Sequence, residues 1–187
     1  MNKFMTRIIV TATAYLLLSV VDVAVAAGKY KIGDAGPGKG IVFYIEPAPR
    51  TRGFTYFEVS PTDIATGAKW CDNNNEAFGG IDWKTQPLGS GTSATLIMLQ
   101  KCNESAAEIA SNYTGGGLHD WTLPTVSEAN LIRSALMSVG KGVPDSTIWT
   151  SSQFNSNMSW VTDLRTGAQN LDFKNHIWAV RAIRKFN

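Results

Sequence analysis

Gly33-Asp34-Ala35-Gly36-Pro37-Gly38-Lys39-Gly40-Ile41-Val42-Phe43-Tyr44 is the stretch whose reading decides the fold. Its first eight residues hold four glycines and a proline, which is turn chemistry. The glycines Gly36, Gly38 and Gly40 predict positive φ angles in that turn. Residues 41–45 are β-branched and aromatic, so a buried strand starts where the turn stops. The spacing Gly33-x4-Gly38-Lys39 falls one residue short of a phosphate-binding loop. That loop needs Ser or Thr after the lysine and a helix whose amides face the phosphate. Here Gly40 follows and a strand begins, which argues against nucleotide binding.

A second stretch, Asp120-Trp121-Thr122-Leu123-Pro124-Thr125, reads as a strand end, a proline stop and a helix cap. Thr125-Val126-Ser127-Glu128 is a capping box, in which each side chain satisfies the other residue's amide. The helix that follows places Ala129, Ile132, Leu136 and Val139 on one buried face, and Gly140 suits its end. Further strands are predicted over 30–32, 54–59, 148–151, 159–164 and 177–184, with a turn around Thr166, Gly167 and Asn170. Residues 92–100 and 104–111 read as helix, and 61–92 as a long excursion tucked down by Trp70 and Trp83. The prediction is one α+β domain with strands at both chain ends and helices between.

The N-terminus carries an export signature. Lys3 and Arg7 precede an apolar run over 8–21, Asp22 breaks the run, and Ala24-Val25-Ala26 is a small-x-small cleavage pattern. The run is shorter than the roughly 20 residues a membrane span needs. Residues 1–26 are therefore read as a signal peptide, with Ala27 an adjacent cleavage point and 28–187 as the domain. No membrane span is expected after cleavage. The product would be secreted, periplasmic or held at the cell surface.

With 17 basic and 15 acidic residues the chain is close to neutral, which gives no general drive toward nucleic acid. Cys71 and Cys102 are the only cysteines, and in an oxidising compartment a disulfide is the default. Neither their spacing nor the two histidines, His119 and His176, make a zinc pattern. No metal and no cofactor is expected.

These pieces, in order, resemble the C-terminal domain of Legionella collagen-like adhesins, a bacterial domain family of unknown function. The resemblance rests on the Gly33–Tyr44 stretch and Phe57-Glu58-Val59-Ser60-Pro61-x-Asp63, then Trp70-Cys71 and Gly89-x-Gly91-Thr92. It continues through Asp120–Thr125, Ile148-Trp149-Thr150-Ser151-Ser152 and Val180-Arg181-Ala182-Ile183-Arg184. It covers the chain beyond the signal segment. More distantly, Trp-x-Leu-Pro-Thr and the closing Val-Arg-x-Ile-Arg segment look like the C-type-lectin-like fold shared with formylglycine-generating enzymes. That likeness implies paired terminal strands, two to three helices and a mixed sheet with long loops. The family implies surface attachment or polysaccharide recognition and no catalytic residue. The collagen-like repeats of the adhesin name are missing, so a trimerising stalk is not implied.

On these grounds the chain reads as a non-catalytic adhesion module, not an enzyme. Lys174, His176, Arg184 and Lys185 are the expected basic patch for an anionic, including sulfated, extracellular polysaccharide. Trp160, Asn155 and Asn157 would flank it. In a homo-oligomer repeated copies of the patch would add avidity. A protein partner in the cell envelope is the alternative, and a divergent hydrolase is the third reading. Gly36, Pro37, Gly38, Gly40, Asp120, Trp121, Pro124, Thr125, Glu128 and Arg181 are expected to act structurally. Arg181 and Arg184, three apart, are expected on opposite faces of one strand.

Overall fold

The computed structural model describes residues 28–73 and 75–187; the predicted signal segment lies outside them. The architecture is α+β with strands near both ends of the described chain. β1 (Ile41–Ile45), β2 (Tyr56–Val59) and β8 (Ile183–Phe186) form a three-stranded antiparallel sheet in the order β1-β2-β8. β3 (Ala65–Ala68), β4 (Thr147–Gln153), β5 (Met158–Asp163), β6 (Gln169–Phe173) and β7 (Trp178–Val180) form a five-stranded sheet in the order β3-β7-β4-β5-β6. The β4–β7 pair is parallel and the rest are antiparallel. The helices are a one-turn α1 (Pro49–Arg52), α2 (Gly91–Lys101), α3 (Ala106–Asn112) and α4 (Val126–Ser138). Among the described residues no helix is long and apolar enough to cross a membrane.

Alternation along β4 sets the layers. Trp149 packs with Trp70, Phe78, Met98, Ala107 and Val161, on the side of α2 and α3. Its neighbour Ile148 packs with Phe43, Phe57, Ile132, Leu136 and Ile183, on the side of α4 and the smaller sheet. Successive strand side chains point to opposite faces, so the larger sheet is covered on both. Trp70, Trp121 and Trp149 are buried, as expected of core aromatics.

Several expected elements differ. Residues 30–32 form no strand; Tyr30 instead packs its ring against Tyr56 and Phe186. The predicted strand over 177–184 is two strands in two sheets, since β7 ends at Val180 and β8 begins at Ile183. Arg181 and Ala182 make the crossing. Both arginines are buried, so the opposite-face expectation fails because no single strand carries them. β3 and β6 carry Thr, Gly, Gln and Asn, which masked them as turns in the sequence. Val139 ends α4 at the surface rather than in the core, and Gly140 follows it at a φ of 64°.

The glycine-rich turn is closed by backbone bonds from Gly36 N–H to the Gly40 carbonyl and from Val42 N–H to the Asp34 carbonyl. Within it only Gly33 and Lys39 have positive φ. Gly36, Gly38 and Gly40 are required for space instead. A Cβ at Gly36 would strike the Glu58 carboxylate, one at Gly38 the Trp121 ring, and one at Gly40 the Val59 carbonyl.

Glu128 completes the predicted capping box and does more. Its carboxylate accepts the Thr125 amide at 2.7 Å and reaches across to the Gly89 amide at 2.8 Å. The Gly91 amide bonds it too, so one buried carboxylate holds the starts of both α4 and α2. Burial pushes this carboxyl above its ordinary value, and the converging amides pull the other way.

Candidate functional site

The four cations expected to form one patch are not on one surface. Arg184 sits at 7% exposure between two carboxylates. Its Nη1 donates to Glu58 Oε1 at 2.6 Å, and its Nε and Nη2 form a forked pair with Asp120 at 2.6 and 2.8 Å. Glu58, fully buried, also accepts the amides of Gly38 and Gly40. The glycine-rich turn, β2, β8 and the Asp120 segment are thereby locked through one guanidinium. Hydrogen bonding to Arg184 holds the Asp120 carboxyl below its ordinary value. Arg181 is likewise structural: its Nε meets Asp63 Oδ1 at 2.6 Å and its Nη1 the Ser60 carbonyl.

Lys174 is buried at 0% exposure. Its ammonium donates to the Glu76 carbonyl at 2.9 Å and to Gln153 Oε1 at 2.8 Å. It lies 4.6 Å from the Trp70 ring centroid and 4.7 Å from that of Phe78, which stack on each other. Desolvation lowers its pKa to about 8. The expected patch therefore loses Lys174, which pins the 70–81 excursion to the sheet, and Arg184. A polar sequence context cannot tell a solvated lysine from one folded under an aromatic lid. His176 remains exposed, with its Nδ1 at 2.7 Å from Asp172. Lys185 remains half-buried beside Gly89 and the Phe54 ring.

The disulfide joins Cys71 to Cys102. Asp72 lies within ligand distance of both sulfurs, but both are spent on the bridge. Asp72 instead accepts the amides of Asn73 and Asn103, and this lowers its carboxyl against the opposing effect of desolvation. The hydroxyl run Thr150-Ser151-Ser152 is buried. Thr150 donates to the Trp160 carbonyl and Ser152 bonds Gln86 and the Val126 amide. Asp120 is committed to Arg184.

What the fold does bring to the surface is an aromatic group at the turn end of the β4–β5 hairpin. The end of β4 is stitched to the excursion by Gln153 N–H to the Ile81 carbonyl and by a bridge between Asp82 and Gln153. Asp82 caps a single 3-10 turn, Trp83–Thr85, by accepting the Lys84 amide. Trp83 then lies edge-on to Trp160 with centroids 5.1 Å apart, and Phe154 closes on Trp160 from 6.3 Å. Trp83 and Trp160 are half-buried, and Phe154 is 42% exposed. The Lys84 ammonium lies 5.8 Å from the Trp83 ring. Asn155 turns the hairpin: its Oδ1 accepts the amides of Asn157 and Met158. Asn157 is exposed, and its Nδ2 reaches Asn75 Oδ1.

Of the expected site residues, Trp160, Asn155 and Asn157 come together. Lys174 adjoins them, its backbone N–H donating to the Asn157 carbonyl, but its ammonium is buried; Arg184 and Lys185 serve other neighbourhoods. Sequence reasoning assigned no role to Lys84 and took Phe154 only as part of the polar 153–157 loop, with ligand contact as its lesser reading. Phe154 reaches Trp160 across the hairpin turn, whereas Trp83 and Lys84 arrive only because the excursion folds back onto the hairpin, a long-range contact with no local signal. The chain matches no protein-family model, and no curated protein matches it.

Proposed function

We propose that the chain is a secreted or surface-associated, non-catalytic binding or adhesion module for extracellular glycans, anionic ones included. The observation that carries this reading is the Trp83–Trp160–Phe154 group beside the Asn155–Asn157 turn. Half-exposed aromatic faces offer an apolar seat for the C–H face of a sugar ring, and adjacent amides offer its hydroxyls donors and acceptors. The export signature and the adhesin-domain resemblance support an extracellular ligand. A C-type-lectin-like topology belongs to the same proposal. The bridge between Thr122 and Ile183, which lays the Trp-x-Leu-Pro-Thr segment along the closing strand, supports it.

The test is binding of the oxidised domain to a glycan array, repeated with Trp160→Ala and Trp83→Ala. Loss of an anchoring tryptophan should weaken binding about thirtyfold, the scale of a buried aromatic hot spot of about 2 kcal/mol. Unchanged binding by both variants would remove the aromatic group from the site.

An envelope protein partner is the second reading, and one observation favours it. Leu96, 57% exposed, and Leu99 stand out from α2 beside Trp121, Thr95 and His119, around a cleft of about 310 Å³. Binding to envelope protein that survives high salt and is abolished by Leu96→Asp would select this reading, because apolar burial is not screened.

A further inference from the structure

A second cleft, sharing no residue with the aromatic group, opens between α1, β8 and the start of α2. Its volume is about 330 Å³, and Arg52, Phe54, Gly89, Ser90, Ser93 and Lys185 line it. Two cations converge there from opposite ends of the sequence. Arg52 is held in place by Glu46 at 3.1 Å and by the Leu88 carbonyl at 3.4 Å. Lys185 meets only the Gly89 carbonyl, at 3.3 Å, and lies 5.8 Å from the Phe54 ring centroid. Among the described residues no carboxylate lies within ion-pair distance of it. An ammonium has three donors, so this one keeps both charge and hydrogen-bonding capacity for a ligand.

The remaining walls are specific. Ser90 and Ser93 spend their hydroxyl protons on the carbonyls of Pro87 and Ser90, which leaves acceptor lone pairs. The Gly89 amide is spent on Glu128, so the backbone there adds no donor. A Cβ at Gly89 would press on the Phe54 ring, which keeps this residue glycine and the cleft open. One wall thus offers positive charge, one offers acceptors, and the floor is an aromatic edge.

We propose that this cleft seats an oxyanion borne by a sugar ring. A sulfate ester or a uronate carboxylate would meet Lys185 and Arg52, and ring hydroxyls would donate to Ser90 and Ser93. The inference rests on the glycan reading for the class of ligand, while the seat itself is independent of the aromatic group.

Amide resonances of the oxidised domain, followed during titration with a sulfated heparin disaccharide, its desulfated form and sodium sulfate, test it. The sulfated disaccharide should shift Gly89, Ser90 and Ser93. Lys185→Ala should weaken it about tenfold, as expected for one charge-assisted bond. Arg52→Gln, on an exposed side chain, should weaken it in the same direction and covers the case that the Lys185 variant fails to fold. The desulfated form, which keeps its uronate, should bind the same seat if a carboxylate suffices and not at all if sulfate is required. Unchanged affinity in both variants, shifts confined to Trp83 and Trp160, or sodium sulfate matching the disaccharide would overturn the proposal. Failure of neutral glycans to bind anywhere, with the Lys185 effect intact, would instead count against the aromatic reading alone.

Discussion

Arg184 is the residue on which most of the chain's separate pieces converge. Its guanidinium neutralises the buried Glu58, and Glu58 holds the amides of the glycine-rich turn. Removing one member of a buried pair leaves an uncompensated charge, so Arg184→Met should cost about 3–5 kcal/mol in urea unfolding. Pairing it with Glu58→Gln should recover part of that loss. The Asp120 contribution has a clear pH sense. Its carboxyl lies below the ordinary 3.8 when folded, so its stabilisation is present above that pH and disappears as pH falls further. Lys174 has the same sense in a higher window, because burial disfavours its charged form. Between about 8 and 10.5 the unfolded chain holds the proton that the folded chain releases. Stability attributable to Lys174 therefore rises with pH across that window. Lys174→Met should abolish that rise in denaturation profiles recorded from pH 7.5 to 10.5. Sequence alone offers Arg184 as one of four patch cations, and it cannot say that Asp120 and Glu58 enclose it. That depends on β2 and β8 pairing with Glu58 opposite Arg184, a register set 126 residues apart.

At the level of elements, α4 and the glycine-rich turn are legible because their signals are local. A capping box spans four residues, and a turn declares itself by composition. The double use of Glu128 is not local, since the start of α2 lies 39 residues upstream. Glu128→Gln should therefore destabilise both helix starts, by about 2–3 kcal/mol together. Amide exchange should speed up at Gly89 and Gly91 as well as at Thr125; acceleration at α4 alone would limit Glu128 to its own cap. β3 and β6 are hidden for the opposite reason. Each lies at an edge of the larger sheet, where one side of the strand meets water and polar residues are tolerated.

For the whole molecule, the excursion between β3 and α2 has little regular structure, yet it carries Trp70, Phe78 and Ile81 into the core. Among the ties that hold it are the Lys174 ammonium, the Ile81–Gln153 backbone bond and the Cys71–Cys102 disulfide. The bridged cysteines are 31 residues apart, for which loop closure corresponds to about 3–4 kcal/mol. The Cys71→Ser, Cys102→Ser double variant should lose about that much in thermal or urea unfolding. Its glycan binding at low temperature should fall with it if the excursion must be ordered to present Trp83. The disulfide was readable from compartment and count alone, whereas the aromatic group needed the tertiary fold.

Tyr30 stacks edge-on against both Tyr56 and Phe186, so the two ends of the described chain leave from the same corner. A load carried between those ends would not cross the body of the molecule. It would pull Phe186 away from Tyr56 at the outer rung of the β2–β8 ladder and open the rungs one after another, like a zipper. The aromatic group sits on the other sheet, whereas Lys185, which lines the Arg52 cleft, is the second rung of this ladder, opposite Phe57. Tension applied through the termini would thus spend itself at that seam first: a ligand held by Lys185 would be let go early, and one seated on the aromatic group would feel the load only after the last strand had come undone.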